Sequence, residues 1–195
     1  MQVAALAKVT AKDAQEVCKL AAAGGYALTA PDGCAPVAFL NTLISERKLD
    51  EAVQFLAFAL PAREATWWAC MCARSHLRDP IPPPLLAAVE ASEAWVRRPT
   101  DENRRVCMTR AQATQWDSPA SWAAVAAFWS GGSLAPPELP AVPPAAHLNG
   151  VAVAGAVRLA AVLLEPASAD EKRARYIAAA VDIANGGAGR ALLGE

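Results

Sequence analysis

The sequence predicts an all-α protein, a single-domain bundle of about eight or nine helices built from helical hairpins, with no sheet, over residues 1–195. Apolar side chains recur every three to four residues through most of the chain, which is the spacing of one helix face. Prolines and glycine pairs separate these stretches and fit the ends of helices. No stretch alternates apolar and polar residues with an enrichment in β-branched side chains, so strands are not expected. Hydrophobic residues make up 54% of the chain, and the abundance of alanine among them favours closely packed helices.

Five helices are expected in residues 1–99. Each begins at a capping residue or near a proline and carries an apolar stripe on one face. In the first helix, the stripe is followed by Gly24 and Gly25, which end it. The predicted starts, in chain order, are Thr10, Pro36, Asp50, Pro61 and Leu85.

Four further helices are expected in the C-terminal half. Thr100 and Ser118 are suitable caps for the sixth and seventh helices, and Pro119 fits the first helical position of the seventh. The eighth, residues 145–164, is apolar nearly all round and is therefore predicted to lie at the centre of the bundle. Ser168 caps the ninth.

A proline-rich segment, residues 134–146, lies between the seventh and eighth helices and is called the strap below. Proline-rich segments are stiff and lose little conformational entropy on binding, which favours a docking surface for another protein. In the alternative interpretation, the strap is a rigid connection across the bundle, and the side chains of Leu134, Leu139 and Val142 pack against the bundle and hold it there. Neighbouring tryptophans of the fourth helix point about 100° apart, so at most one is expected to face the deepest core. The candidate partner-binding residues are Trp67, Trp68, Leu134, Pro136, Pro137, Leu139, Pro140 and Pro143.

The corner between the fifth and sixth helices, residues 97–105, is dense in both signs of charge. Its arginines, among them Arg104 and Arg105, could form a docking surface. The favoured interpretation is a solvated joint with local ion pairs, each of which contributes little to stability.

Few residues suggest catalysis, metal binding or phosphate binding. Cys70, Cys72 and His76 resemble a soft-metal cluster, but residues 70 and 72 point about 200° apart on a helix and the spacing is wrong for a zinc finger. The other histidine, His147, has no neighbouring nucleophile of the kind a catalytic triad requires. The glycine pairs all fall at predicted helix ends, which explains them without a phosphate loop. The sequence therefore predicts no catalytic residue, no metal and no cofactor.

Net charge, cysteine usage and hydropathy indicate which partners and which cellular compartment to expect. The formal net charge is −1, which gives no reason to expect nucleic acid or anionic lipid as a partner. The five cysteines are an odd number and fall mostly within helical stretches, so we expect them to be reduced in a cytoplasmic protein. The most apolar run, residues 148–164, is shorter than the roughly 20 residues of a spanning helix and contains Arg158, so membrane insertion is not expected.

Several segments resemble an uncharacterised proteobacterial family of unknown function. They are ATWWAC at residues 65–70, EAWV at 93–96 before Pro99, WAAVAAFWSGGSL at 122–134 and AVAGAV at 152–157. The resemblance covers residues 50–190 in outline and implies a protein of type VI secretion gene neighbourhoods with an accessory role. It assigns no functional residue.

The leading functional prediction is a non-enzymatic protein-binding accessory factor, an adaptor, chaperone or assembly protein whose partner is a secretion-system component or effector. One alternative is a homo-oligomer in which the eighth or ninth helix packs against its copy. Another is a small-ligand or metal-binding helical protein or enzyme with a site between helices. Its candidate residues are His147, Arg158 and the group of Cys70, Cys72 and His76. The sequence leaves open whether Arg158 pairs with an acid such as Asp182.

Overall fold

The computed structural model describes residues 1–190 and Leu193, and this part of the chain contains helices and loops but no strand. The predicted all-α class is confirmed. The described residues form nine α-helices, with a 3₁₀ turn, Pro166–Ser168, before the last. In chain order, the helices are α1 Ala14–Ala23, α2 Pro36–Ser45, α3 Leu49–Ala59, α4 Ala62–His76, α5 Pro83–Arg97, α6 Asp101–Gln112, α7 Pro119–Phe128, α8 Leu148–Val162 and α9 Ala169–Ala184.

Local sequence signals set several helix ends. The side chains of Thr100 and Ser118 accept hydrogen bonds from backbone N–H groups in the first turns of α6 and α7, as predicted. At α1 the predicted cap, Thr10, is wrong. Asp13 caps this helix, and the Glu16 side chain accepts a hydrogen bond from the Asp13 N–H in return. This reciprocal pair satisfies two N–H groups that the helix leaves open.

Helix α8 lies at the centre of the bundle, as its composition predicts. It packs against α3, α4, α7 and α9. Gly150 makes room for the ring of Phe58 on α3, because a Cβ at that position would overlap the ring. The buried Asn149 amide donates hydrogen bonds to Thr66 Oγ1 on α4 at 3.2 Å and to the Ala126 carbonyl on α7 at 2.9 Å. These contacts join α8 to three neighbouring helices.

Consecutive helices pack against each other from α4 to α8, which is the arrangement of a bundle of hairpins. Helix α7 contacts α4, α5, α6 and α8, and it is buried along nearly its whole length. The strap leads from the end of α7 to the start of α8, so it connects two largely buried helices.

No described helix combines the length and the apolar character needed to cross a bilayer unaided. One pair, α8 with the segment Pro166–Ala184, meets that test jointly by length and composition, and it is bent by 116° at the break.

Candidate functional site

The strap contains a loop whose two ends are joined by hydrogen bonds. The Leu134 N–H donates to the Val142 carbonyl at 2.8 Å. The Ser133 hydroxyl accepts the N–H of Ala135 at 3.1 Å and that of Val142 at 3.0 Å. Within the loop, the Leu139 N–H donates to the Pro136 carbonyl at 3.1 Å and closes a turn. Compact surface loops with adjacent ends hold their shape through such internal contacts.

The buried guanidinium of Arg104 fastens the strap to the bundle. It donates to the carbonyls of Phe128 and Ser133, both at 2.8 Å, and its central carbon lies 4.6 Å from the centre of the Phe128 ring. Arg104 is only 3% exposed, and the Asp101 carboxylate supplies its counter-charge at 2.6 and 2.8 Å. Hydrogen bonds to charged groups contribute about 1.5–3 kcal/mol each, so this contact firmly holds Ser133, the residue directly before the strap.

Arg105 makes a second contact between α6 and the strap. Its Nε donates to Asp101 at 2.7 Å and its Nη1 to the Ala135 carbonyl at 3.0 Å. Hydrogen bonds from Arg105 and Arg104 lower the pKa of the Asp101 carboxyl below its usual value of 3.8, so this carboxylate is ionised at neutral pH. The prediction of a solvated joint is wrong for Arg104, because its guanidinium is buried and bridges two segments. We call Asp101, Arg104 and Arg105 the arginine clamp.

The strap exposes its apolar side chains. Leu139 is 57% exposed and Val142 is 52% exposed, whereas Leu134 is half-buried. The interpretation that pins Leu139 and Val142 to the bundle is therefore wrong. The four prolines of the predicted docking set also face solvent: Pro136, Pro137, Pro140 and Pro143. The structure thus brings the predicted strap residues together on one preformed loop.

A groove of about 260 Å³ lies beside the C-terminal part of the strap. Its lining combines the aromatic side chains of Phe58 and Trp129 with Pro143 and Pro144 of the strap and with Asn149 of α8. The groove is partly open to solvent.

The neighbouring tryptophans separate into one core residue and one half-buried residue, as their angular offset predicts. Trp68 is fully buried and donates through Nε1 to the Tyr176 carbonyl at 2.9 Å, so it is not part of a docking surface. Trp67 is half-buried, donates to the Ala188 carbonyl at 2.8 Å and lies 5.2 Å from the Arg190 guanidinium. It lines a separate groove, and none of the described residues that line that groove belongs to the strap.

The cysteines and histidines considered for chemistry do not form a site. Cys70 and Cys72 are fully buried, and burial raises the pKa of the Cys70 thiol well above its usual range, which disfavours a reactive thiolate. Within residues 1–190 and Leu193, no three His, Cys, Asp or Glu side chains are arranged to hold a metal ion. His147 lies at the start of α8, and its side chain makes no capping hydrogen bond.

Arg158 pairs with Asp50 and not with Asp182. Its Nε lies 2.9 Å from the Asp50 carboxylate, whereas Asp182 accepts the N–H of Gly189 at 2.8 Å. The packing of α3 on α8 brings together Asp50 and Arg158, which are 108 positions apart in the sequence.

The fold and the candidate site together define an all-helical protein that presents a clamped, proline-rich surface loop. The chain belongs to DUF6931, a family of unknown function whose model matches residues 39–184. The match includes the strap and the arginine clamp, and it confirms the resemblance to a family of unknown function. No curated protein and no solved structure matches the chain.

Proposed function

We propose that this protein is a non-enzymatic accessory factor that binds a partner protein through the strap. One observation carries the proposal: a loop closed on itself and fastened by a buried arginine exposes Leu139 and Val142 to solvent. A loop that is ordered before binding loses less conformational entropy on association than a flexible one. The exposed leucine and valine then supply the apolar contact area.

The partner is proposed to offer an apolar groove with aromatic side chains. Prolines dock well in aromatic-lined grooves, and the strap presents four of them beside Leu139. The groove lined by Phe58 and Trp129 adds a place on this protein for an apolar side chain of the partner.

The proposed setting is a type VI secretion system in the bacterial cytoplasm. Support comes from the segments that resemble the family found in those gene neighbourhoods, two of which, residues 122–134 and 152–157, flank the strap. In this setting, the protein acts as an adaptor, chaperone or assembly factor for a secretion-system component or effector. Membership of DUF6931 neither favours nor opposes this setting.

Affinity capture from the native cells, with quantification by mass spectrometry, tests the docking surface. The test variant is Leu139→Ser with Val142→Ser, and the matched control is Val106→Ser with Val162→Ser, which removes two exposed valines outside the strap. Burial of a leucine or valine contributes about 1.5–3 kcal/mol, so the strap variant is expected to recover at least about tenfold less partner than the wild type or the control. Equal recovery of every partner by all three proteins would remove the strap from the proposal. A captured partner unrelated to secretion would exclude the type VI setting.

Self-association through α8 stays a prediction; packing against α3, α4, α7 and α9 leaves only part of that helix for contact with a second copy. Self-association through α9 stays a prediction, and light scattering of the purified protein tests it. A monomer at the concentrations used for capture would exclude it.

A further inference from the structure

The groove beside the strap, lined by Phe58, Trp129 and Pro143, has a hydrogen-bond acceptor in its wall. The acceptor is the side-chain oxygen of Asn149, a residue in the first turn of α8 that is only 8% exposed. Burying a polar side chain costs free energy unless its polar atoms form hydrogen bonds. The contacts of this amide therefore indicate what the groove can bind.

The hydrogen bonds of the Asn149 amide fix its orientation. Its Nδ2 lies 3.2 Å from Thr66 Oγ1 and 2.9 Å from the Ala126 carbonyl oxygen. The Thr66 hydroxyl donates its own proton to the Ala62 carbonyl at 2.7 Å, so it can only accept from Asn149. Both neighbours are acceptors, and the amide must therefore present its NH₂ group to them.

The side-chain oxygen of Asn149 is left without a partner. Within the described part of the chain, no N–H or O–H group donates to Asn149 Oδ1, and this oxygen is not sealed from solvent. The groove is the open space that Asn149 lines, so Oδ1 is accessible from it. An acceptor that is already held in place favours a ligand with an N–H or O–H donor, because little order is lost on binding.

The rest of the lining favours a neutral, aromatic ligand. Among the described residues, no charged side chain lines the groove. The Ser130 hydroxyl donates to the Ala127 carbonyl at 2.7 Å, so it offers a second acceptor. Phe58 and Trp129 each pack edge-to-face against another aromatic residue, with ring centres 5.3 and 6.5 Å apart. Their rings are thereby held in place and can pack against a further ring.

We propose that the groove binds the indole of a tryptophan side chain of the partner protein, with the indole N–H donating to Asn149 Oδ1. The source of the indole rests on the proposed docking function, because Pro143 and Pro144 belong to both the groove and the strap. Indole combines a flat apolar body with one N–H donor and no acceptor, which complements exposed acceptors in a neutral groove. The volume of about 260 Å³ is below the roughly 300–1,000 Å³ of small-molecule pockets and suits a single side chain. Tryptophan is also among the residues that most often anchor protein interfaces.

Fluorine NMR titration of the full chain with 5-fluoroindole tests the groove without the partner. The matched probe is 5-fluorobenzothiophene, which keeps the fused rings and replaces the N–H group with sulfur. We expect saturable binding of 5-fluoroindole and at least about threefold weaker binding of 5-fluorobenzothiophene, because one neutral hydrogen bond is lost. Equal affinities of the two probes, or no saturable binding of 5-fluoroindole, would overturn the proposal. Tighter binding of 4-fluorophenol than of 5-fluoroindole would indicate tyrosine and contradict the assignment to tryptophan.

Ala146→Phe should fill the groove, because this exposed alanine lines it. The matched control is Ala141→Phe, at an exposed alanine of the strap outside the groove lining. We expect the affinity for 5-fluoroindole to fall at least about tenfold in the first variant and less than about twofold in the second. Equal affinities of the two variants would show that the probe binds elsewhere and would overturn the proposal.

Asn149→Ala removes the acceptor and should reduce the preference for 5-fluoroindole over 5-fluorobenzothiophene to less than about twofold. An unchanged preference would contradict the role of Asn149. Circular dichroism checks the fold of this variant, because it also loses the hydrogen bonds to Thr66 and Ala126. The comparison of the two probes and the test of Ala146→Phe decide the proposal without it.

Competition with the captured partner separates the groove from the strap. At about ten times its Kd, 5-fluoroindole should release the partner from the wild-type protein. Full retention of the partner would overturn the tryptophan proposal and leave the docking function of the strap standing. The Leu139→Ser, Val142→Ser protein should bind 5-fluoroindole like the wild type, because neither side chain lines the groove. If that protein also keeps the partner, the docking function fails while the groove remains a binding site for indole.

Discussion

Arg104 positions the strap, and only part of its role is visible in the sequence. Asp101 lies three residues before Arg104 and four before Arg105, which is the spacing of ion pairs along a helix. That spacing predicts the clamp's internal contacts. It does not predict that Arg104 turns inward to carbonyls 24 and 29 residues away, because those positions depend on how α7 ends.

Gly132 offers a test of how closely the clamp is packed. It has a φ of +66°, and a Cβ there would lie within 2.9 Å of the Arg104 guanidinium. Gly33 has nearly the same φ, +67°, but a Cβ there meets no atom within 4 Å. Both glycine-to-alanine changes incur a backbone cost of about 1–2 kcal/mol. Gly132→Ala also displaces the buried guanidinium, so its free energy of unfolding should fall by at least about 1.5 kcal/mol more than that of Gly33→Ala.

Urea denaturation of the two alanine variants and the wild type measures this difference. Equal losses of stability in both variants would show that the guanidinium moves aside freely, and the clamp would then be loose.

At the scale of single elements, the sequence predicts helices better than it predicts the strap. Helix starts such as Ser118 depend on contacts within a few residues, so the local pattern is sufficient. Helix α8 is shorter than the predicted 145–164, because Leu148 begins it and the chain leaves the helix at Leu163. The closed shape of the strap depends on the Ser133 hydroxyl and on a backbone pair eight residues apart, and many polar residues could have formed such contacts.

Ser133→Ala tests whether the strap is ordered by its own hydrogen bonds. The change removes the acceptor for the N–H groups of Ala135 and Val142, so both amides should exchange with deuterium about five- to tenfold faster. The whole protein should lose only about 1 kcal/mol of unfolding free energy. The control is Ser130→Ala, because the Ser130 hydroxyl donates only to the Ala127 carbonyl at 2.7 Å. Unchanged exchange at both amides in Ser133→Ala would contradict an ordered loop.

At the scale of the whole molecule, the core places ionisable thiols in an apolar environment. Cys70 on α4 and Cys107 on α6 are both fully buried. The sequence predicts this structural role, because their helical positions suit small apolar residues better than metal ligands. Contacts between residues far apart in the sequence, such as the ion pair of Arg158 with Asp50, depend on how the whole bundle packs. Local sequence patterns therefore do not predict them.

The buried thiols should make the protein less stable in alkali. Burial raises the pKa of the Cys107 thiol from 9.0 to about 12, and it raises that of Cys70 in the same direction. The folded state therefore holds these protons more tightly than the unfolded state. These thiols leave the free energy of unfolding unchanged below pH 9 and lower it as the pH rises from 9 towards 12, by up to about 1.4 kcal/mol per pH unit for each thiol.

Urea denaturation between pH 8 and pH 10.5 measures this slope. Cys107→Ala removes one of the titrating groups, so its stability should fall less steeply above pH 9 than that of the wild type. Val89→Ala, which truncates a fully buried side chain and removes no ionisable group, should follow the wild-type slope. If the Cys107→Ala slope equals that of the wild type, water reaches the thiol in the folded protein, and the region between α4 and α6 is less closely packed than the buried positions of Cys70 and Cys107 indicate.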